Sequence, residues 1–268
     1  MYTILNRHGL RTAVGASCFE KPIKALLSFS GFFALAAAWQ ILAQIKSNPA
    51  VPLVSGIIRT LANLIRDGPF LGHIVASLSI LFAGVGIATV VGFTIGIFLY
   101  RYKYFKAAAY PVIDCLRNVA SLTLFPLLIV LLGLGPPAQI FVIFWTAWSA
   151  VVLSTLNSLD VDKNIVEAAR SFGAGEWRII FGIRVPMAAR GIITGIRIGV
   201  GNGWISLIAA EMLGAQRGLG FFLLWSSQTF QFERVYASII VIATIGGIVN
   251  YALLLVQKAL TQITGEKL

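Results

Sequence analysis

The chain has 268 residues, of which 58% are hydrophobic and 12% are charged, and its mean hydropathy is +0.86. A soluble globular domain carries about twice that charged fraction, so the composition excludes this class and indicates a protein of the lipid bilayer. The formal net charge of +11 does not indicate nucleic-acid binding, because the basic residues are spread between apolar blocks rather than gathered into one arm or stripe.

The first apolar block predicts a membrane anchor. Residues 1–24 are polar to mixed, whereas Ala25–Ile45 has the roughly 20 apolar residues that span a bilayer core. The block begins too late, and is too long, for a cleaved signal peptide. We expect residues 1–24 to form a cytoplasmic N-terminal segment and residues 25–268 to form one transmembrane domain.

Residues 46–73 are more polar but contain an amphipathic helical pattern opposite Arg59 and Arg66. Its apolar positions are Val54, Ile57, Ile58, Leu61, Leu64 and Ile65. Such a helix either lies in the membrane interface or packs against the rim of the bundle.

A second membrane helix is predicted from Ile74 to Tyr100. Gly92 and Gly96 have the small-xxx-small spacing that permits close approach of a neighbouring helix. A basic cluster follows at once and marks a cytoplasmic end. Its members are Arg101, Lys103 and Lys106.

The apolar segment Tyr110–Leu134 is interrupted by polar residues. Asp114 and Arg117 are three residues apart, so one interpretation is a local ion pair. The other is a segment that faces a pore, with a kink at Pro126. Both interpretations stay open. A charge-free turn follows at Gly133, Gly135, Pro136 and Pro137.

Three further membrane helices are predicted over Gln139–Leu156, Met187–Ile208 and Tyr236–Val256. Asp160 and Asp162 are plausible N-caps for the short helix that follows the first of them. The second carries glycines every four residues, which predicts a groove along one face. These are Gly191, Gly195 and Gly199. The turn-rich stretch Glu211–Gly220 suggests a short hairpin or tilted helix at the outer surface.

Lysine and arginine are distributed unequally between the two sides of this six-helix topology. One side carries Arg7, Arg11, Lys21, Lys24, Arg101, Lys103, Lys106, Lys163, Arg170, Arg178, Arg184, Arg190, Lys258 and Lys267. The other carries Lys46, Arg59, Arg66, Arg217 and Arg234. Because cytoplasmic loops have an excess of basic residues, we expect both termini in the cytoplasm.

A charged island, EAARSFGAGEWRIIFGIRVP, occupies Glu167–Pro186. Glu167 and Arg170 can pair with each other or with a partner. Gly173 and Gly175 are expected to end the first helix, because glycine enters left-handed conformations at little cost. Apolar stripes flank this break. They are Ile165, Ala168, Ala169 and Phe172 before it, and Trp177, Ile180 and Phe181 after it. Pro186 suits the first turn of the next helix.

The spacing of this island resembles the EAA loop of ABC-importer permeases; Val185, where the family commonly has leucine, is a mild departure. The resemblance implies an all-α, polytopic type I transmembrane domain whose cytoplasmic loop, at about residues 160–186, docks into a separate ATPase. We call residues 160–186 the EAA loop. The implied docking residues are Glu167, Ala168, Ala169, Arg170, Phe172, Gly173, Trp177 and Pro186.

The chain contains no Gly-Lys pair and hence no Walker A loop, so ATP and magnesium are expected on the partner ATPase and no cofactor or enzyme activity on this chain. Cys18, Cys115, His8 and His73 lack the spacing of a disulfide framework or metal site. The resemblance implies two ATPase subunits, an extracytoplasmic solute-binding protein and a second, identical permease copy in the bacterial inner membrane.

A second stretch is similar to permeases of the nitrate, sulfonate, taurine and bicarbonate group. It carries Ala210, Glu211, Met212, Gly214, Gly218, Leu219 and Gly220. A small sulfonate or oxyanion is the solute that this resemblance favours, and a thiamine pyrimidine precursor is the alternative. Arg197 and Arg117 could assist an anion, or Arg197 could snorkel to a helix end.

Two other classes remain as alternatives. An ATP-independent secondary transporter would need coupling-ion residues and inverted repeats. An intramembrane enzyme would need paired catalytic residues at membrane depth. Neither pattern is evident in the sequence. Candidate pathway-lining residues are Asp114, Arg117, Asn118, Asn202, Trp204 and Glu211.

Overall fold

The structure is a computed structural model that describes residues 37–45, 50–66 and 68–263. Every regular element in these ranges is helical, which confirms the all-α prediction. The chain divides into two compact units, residues 1–60 and residues 61–268. The expected N-terminal segment and most of the predicted helix Ala25–Ile45 lie outside the described residues.

The first unit contains helix α1 (37–45), which is the described part of the predicted anchor, and the start of α2 (Val54–Arg66). Two side chains of α1 bond to the start of α2 and the residues just before it: the Trp39 indole donates to the Pro52 carbonyl oxygen at 3.2 Å. The Gln40 side chain accepts from the Val54 backbone N–H at 2.8 Å. These bonds satisfy polar groups at the start of α2.

Helix α2 has the predicted amphipathic character. Ile57 and Leu64 are buried, whereas Arg59 and Arg66 are exposed. The helix itself is therefore confirmed, and its position in the membrane interface stays a prediction.

The second unit is a helical bundle. Its remaining elements are α3 (Pro69–Arg101), α4 (Lys103–Leu116), α5 (Ser121–Leu132), α6 (Pro136–Ser158), α7 (Lys163–Ser171), α8 (Glu176–Ile179), a π-helical turn (Ile180–Arg184), α9 (Val185–Gly214), α10 (Leu219–Gln228) and α11 (Phe232–Ile263). Helices α3, α6 and α9 pack against one another and form the core, while α10 and α11 pack on α9.

Glycines set the close spacing of α3 and α9 against α6. A Cβ atom added at Gly92 of α3 would lie 2.9 Å from the Trp148 carbonyl oxygen, which is closer than real contacts allow. A Cβ at Gly199 of α9 would lie 3.1 Å from the Ala147 Cβ. The predicted glycine faces are confirmed at all five positions: Gly92, Gly96, Gly191, Gly195 and Gly199. Backbones that approach this closely maximise van der Waals packing where lipid supplies no hydrophobic force between helices.

The predicted segment Tyr110–Leu134 is two helices rather than one kinked helix. Helices α4 and α5 meet at an angle of 90° across residues 117–120. Pro126 lies inside α5, so the 90° change of direction falls before it, in a break that ends at Ala120 with ψ of 122°. The local ion pair is confirmed: Arg117 Nε lies 2.8 Å from the Asp114 carboxylate.

Four of the described helical stretches are long and apolar enough to cross a membrane, and the bent pair α4–α5 would make a fifth. They are Pro69–Arg101, Pro136–Ser158, Glu176–Gly214 and Phe232–Ala259. The multi-pass prediction therefore holds within the described ranges. The real helices are longer than predicted, since α9 continues to Gly214 and α11 begins at Phe232.

Candidate functional site

The EAA loop is a helix–turn–helix whose ends are defined by its sequence. The Asp162 carboxylate caps α7 by accepting from the Asn164 N–H at 2.9 Å, as predicted. Gly173 follows α7 with φ of 81°, the left-handed conformation expected there. Gly175 is different: its φ of −68° and ψ of 155° are extended, so it precedes α8 without needing positive φ.

Aromatic side chains dominate the outer surface of this loop. Phe172 is 92% exposed, and Trp177 and Phe181 are each 53% exposed. The Trp177 and Phe181 rings stack with centroids 6.0 Å apart. Phe181 is four residues after Trp177, and this helical spacing predicts that the two side chains are neighbours. Exposed aromatic residues beside charged ones are typical of a protein-binding surface.

The inner surface of the loop is formed by other residues. Val166 and Ile180 are buried, whereas Ile165 and Phe172 are exposed. The predicted face of Ile165, Ala168 and Phe172 therefore lies on the surface, where a docking face is expected, and Val166 is the residue of α7 that packs inward. Glu167 and Ala168 are also exposed, and Ala169 is half-buried.

Arg170 pairs across the turn. Its Nη2 lies 2.7 Å from Glu176 Oε1, and Nε donates to the same oxygen at 3.0 Å. Glu167 was the partner considered from sequence. Its carboxylate is left on the surface, because the turn at Gly173 brings Glu176 back toward α7. Glu176 was missed, although opposite charges on either side of a glycine turn are a readable signal.

The loop is joined firmly to the bundle. Arg184 Nη1 donates to the Leu159 carbonyl oxygen at 2.8 Å, and its guanidinium lies 4.9 Å from the centre of the Tyr100 ring. Ile180 packs in a buried cluster with Ile97 and other residues of α3 and α9. The chain then passes through the π-helical turn into α9, with Pro186 in its first turn as predicted. A force on the exposed aromatics would reach α9 without crossing a flexible linker.

A cleft of about 790 Å³ lies between the α4–α5 junction, α6 and α9. We call it the polar cleft. Hydroxyl and amide side chains line it together with apolar residues, and Arg117 is the charged residue among them. The polar lining residues include Asn118, Ser121, Thr146, Ser149, Asn202 and Ser206. A small polar or anionic solute fits a volume and lining of this kind.

The structure brings Arg117, Asn118 and Asn202 together in the polar cleft, but not the other candidates. Asp114 forms an ion pair with Arg117 but does not line the polar cleft. Trp204 is buried on another face of α9 and lines a separate 400 Å³ cavity with Arg197. Arg197 donates to the Gln257 side chain at 3.1 Å, which agrees with a local role.

Glu211 does not line the polar cleft. It is 1% exposed near the end of α9, and the predicted hairpin takes the form of the end of α9, a turn and the start of α10. Its carboxylate accepts from the Ser77 hydroxyl at 2.6 Å and the Gly220 N–H at 2.7 Å. The turn after α9 folds back so that the N-terminus of α10 meets this buried carboxyl group.

Comparison with known proteins identifies the class of protein to which this chain belongs. The chain belongs to the family of binding-protein-dependent transport system inner membrane components, whose family model matches residues 88–263. This confirms the resemblance to ABC-importer permeases drawn from the EAA loop.

Two named relatives illustrate the similarity. The taurine transport system permease protein TauC of Escherichia coli is 31% identical over 75% of this chain and 73% of its own length. The nitrate import permease protein NrtB of Synechocystis is 32% identical over 65% of this chain and 64% of its own length. An inward-facing structure of the MetNI methionine ABC transporter shares the fold, with a TM-score of 0.62, 17% identity, and coverage of 70% of this chain and 94% of that one.

Proposed function

We propose that this chain is the permease subunit of an ATP-driven importer and that its EAA loop docks into a separate ATPase. The observation that carries the proposal is the exposed aromatic surface of Phe172, Trp177 and Phe181 on a loop continuous with α9. Two ATPase subunits, an extracytoplasmic solute-binding protein and a second, identical permease copy complete the assembly. The chain lies in a bacterial inner membrane with both termini in the cytoplasm.

The mechanism is alternating access through rigid-body motion. ATP and magnesium, held by the partner, close the ATPase dimer and draw the two docked loops together. Each loop moves its own α9, because Ile180 and Arg184 fix the loop to the bundle. The pathway then opens outward to receive the solute, and hydrolysis reverses the movement. This chain supplies the pathway and the transmission, and no catalytic group.

The proposed solute is a small sulfonate or oxyanion. Relatives carry names for the transport of taurine, aliphatic sulfonates, nitrate and bicarbonate. The polar cleft supports this choice, because its hydroxyl and amide groups can hydrogen-bond an oxyanion and Arg117, which also pairs with Asp114, carries a positive charge.

Co-purification tests the docking proposal. The chain is expressed with its neighbouring genes, and we expect an ATPase subunit to be retained by the wild type and by Asn157→Asp, an exposed substitution at the end of α6. Gly173→Asp should lose the ATPase and solute uptake while still inserting in the membrane, because an aspartate at φ of 81° strains the turn. Unchanged uptake by Gly173→Asp would refute the docking role of the loop.

A further inference from the structure

A basic cavity of about 560 Å³ lies between the junction of α3 and α4 and the EAA loop. Six basic and three acidic side chains line it, which leaves three formal positive charges in excess. The basic ones are Arg101, Lys103, Lys106, Lys163, Arg170 and Arg184. Its volume lies within the roughly 300–1,000 Å³ typical of sites for small ligands.

Two of these cations already have partners, since Arg170 pairs with Glu176 and Arg184 donates to the Leu159 carbonyl oxygen. The three lysines differ. Within the part of the chain that the structure describes, no carboxylate lies within ion-pair distance of Lys103, Lys106 or Lys163. Asp160 and Glu167 of the same lining offset part of this charge, and the positive excess that remains favours the entry of an anion.

The position of two lysines also favours an anion. Lys103 and Lys106 lie in the first turn of α4, where the helix dipole is positive and no acidic residue or side-chain cap is present. Cations are unfavourable there, whereas an anion at this helix end is stabilised by the dipole and by both lysines.

Exposed aromatic residues place the basic cavity at the edge of the apolar region. Phe98, Tyr102 and Phe105 pack together with centroids 4.9–6.1 Å apart, and Tyr104 is 93% exposed. Aromatic side chains next to the basic end of an apolar span are typical of the level of lipid headgroups.

We propose that the basic cavity binds a phosphate-type anion, and that the phosphodiester of an anionic lipid headgroup is its physiological source. Basic pockets at the end of membrane helices bind such headgroups. Because Lys163 begins α7, a bound headgroup would tie the EAA loop to the lipid composition of the membrane. The inference does not depend on ATPase docking, since binding is measurable on the full permease alone.

The test compares two triple variants of the full chain that lose equal charge. Lys103→Gln/Lys106→Gln/Lys163→Gln removes the lysines of the basic cavity, and Arg178→Gln/Arg190→Gln/Lys258→Gln removes exposed charges elsewhere. Native mass spectrometry measures retained phosphatidylglycerol against phosphatidylcholine. Loss of each lysine should weaken the binding of an anionic lipid roughly fivefold. We therefore expect the cavity variant to bind phosphatidylglycerol about a hundredfold more weakly and the control variant to bind it like wild type.

A further variant guards against misfolding as the cause. Asp160→Asn removes an exposed acidic residue of the lining and should strengthen phosphatidylglycerol binding. A separate titration with inorganic phosphate distinguishes the source of the anion. If phosphate binding needs the three lysines but phosphatidylglycerol is not preferred over phosphatidylcholine, the anion site is supported and the lipid is rejected as its ligand. Equal binding of both anions by the two triple variants would overturn the proposal.

Discussion

The hydroxyl of Ser77 on α3 donates to the carboxylate of Glu211 on α9 at 2.6 Å, although 134 positions separate them along the chain. The same hydroxyl accepts from the Leu219 N–H at 2.9 Å, and the carboxylate accepts from the Gly220 N–H. One buried pair thus holds α3, the end of α9 and the start of α10 together.

We expect Glu211→Ala to destabilise the protein strongly. It leaves the Ser77 hydroxyl and the Gly220 N–H without their shared acceptor in a buried site, at about 1–3 kcal/mol for each group. Glu211→Gln keeps an acceptor oxygen and should cost less. Thermal unfolding in detergent would measure this order. Gln216→Ala, an exposed neighbour in the following turn, serves as the control; equal midpoints for Glu211→Ala and Gln216→Ala would contradict the role of the cluster.

The close contact of α3 with α6 predicts opposite effects at two glycines of one helix. Gly92→Ala should destabilise by about 1–3 kcal/mol, because the new methyl group meets the Trp148 carbonyl oxygen and the Val151 side chain. Gly86→Ala meets nothing within 4 Å and should be neutral or stabilising by up to about 1 kcal/mol. Unfolding midpoints of the two variants provide the comparison, and a reversed order would show that the packing is different.

The exposed aromatics of the EAA loop should be central to ATPase binding. Phe172→Ala combined with Trp177→Ala removes two large exposed side chains, so we expect at least about 30-fold weaker association, the effect of losing 2 kcal/mol at an interface. Permease stability should hardly change. Leu213→Ala, also exposed but at the opposite end of α9, is the matched control. The affinity of the permease in nanodiscs for the ATPase is the measurement. Wild-type affinity of the double variant would exclude these residues from the interface.

The Asp114–Arg117 pair predicts opposite changes in transport of an anion. Arg117→Gln should lower uptake, because it removes the charged group of the polar cleft. Asp114→Asn frees that guanidinium from its partner at 2.8 Å and should preserve or raise uptake. Both groups are about half exposed, so the effect on stability should be below about 1 kcal/mol. Uptake of radiolabelled taurine or nitrate is the measurement; equal losses in both variants would indicate a structural role for the pair.

Local sequence signals predicted much of this molecule. Helix periodicity, the Asp162 cap, the turn at Gly173 and the glycine faces depend on neighbouring residues or a fixed spacing, and the structure agrees with them. The EAA spacing likewise identified the family.

The errors concern contacts between distant parts of the chain. Nothing near Glu211 shows that Ser77 approaches it, so Glu211 was considered a candidate for lining the pathway and not the acceptor of a buried cluster. Similarly, Pro126 is a strong local kink signal, yet the 90° change of direction falls at residues 117–120, before α5 packs against α6 and α9 through Phe125. Such choices are set by the packing of the bundle, which spacing alone does not encode.

The glycine contacts that fix α3 and α9 to α6 also determine where conformational change can be observed. Because these backbones are already in contact, paired spectroscopic labels on α3 and α9 of one chain should keep the same separation throughout the transport cycle. In the proposed homodimer, the distances between equivalent labels on the two copies are the ones that should vary. Experiments that follow turnover are therefore best designed with a single label per permease.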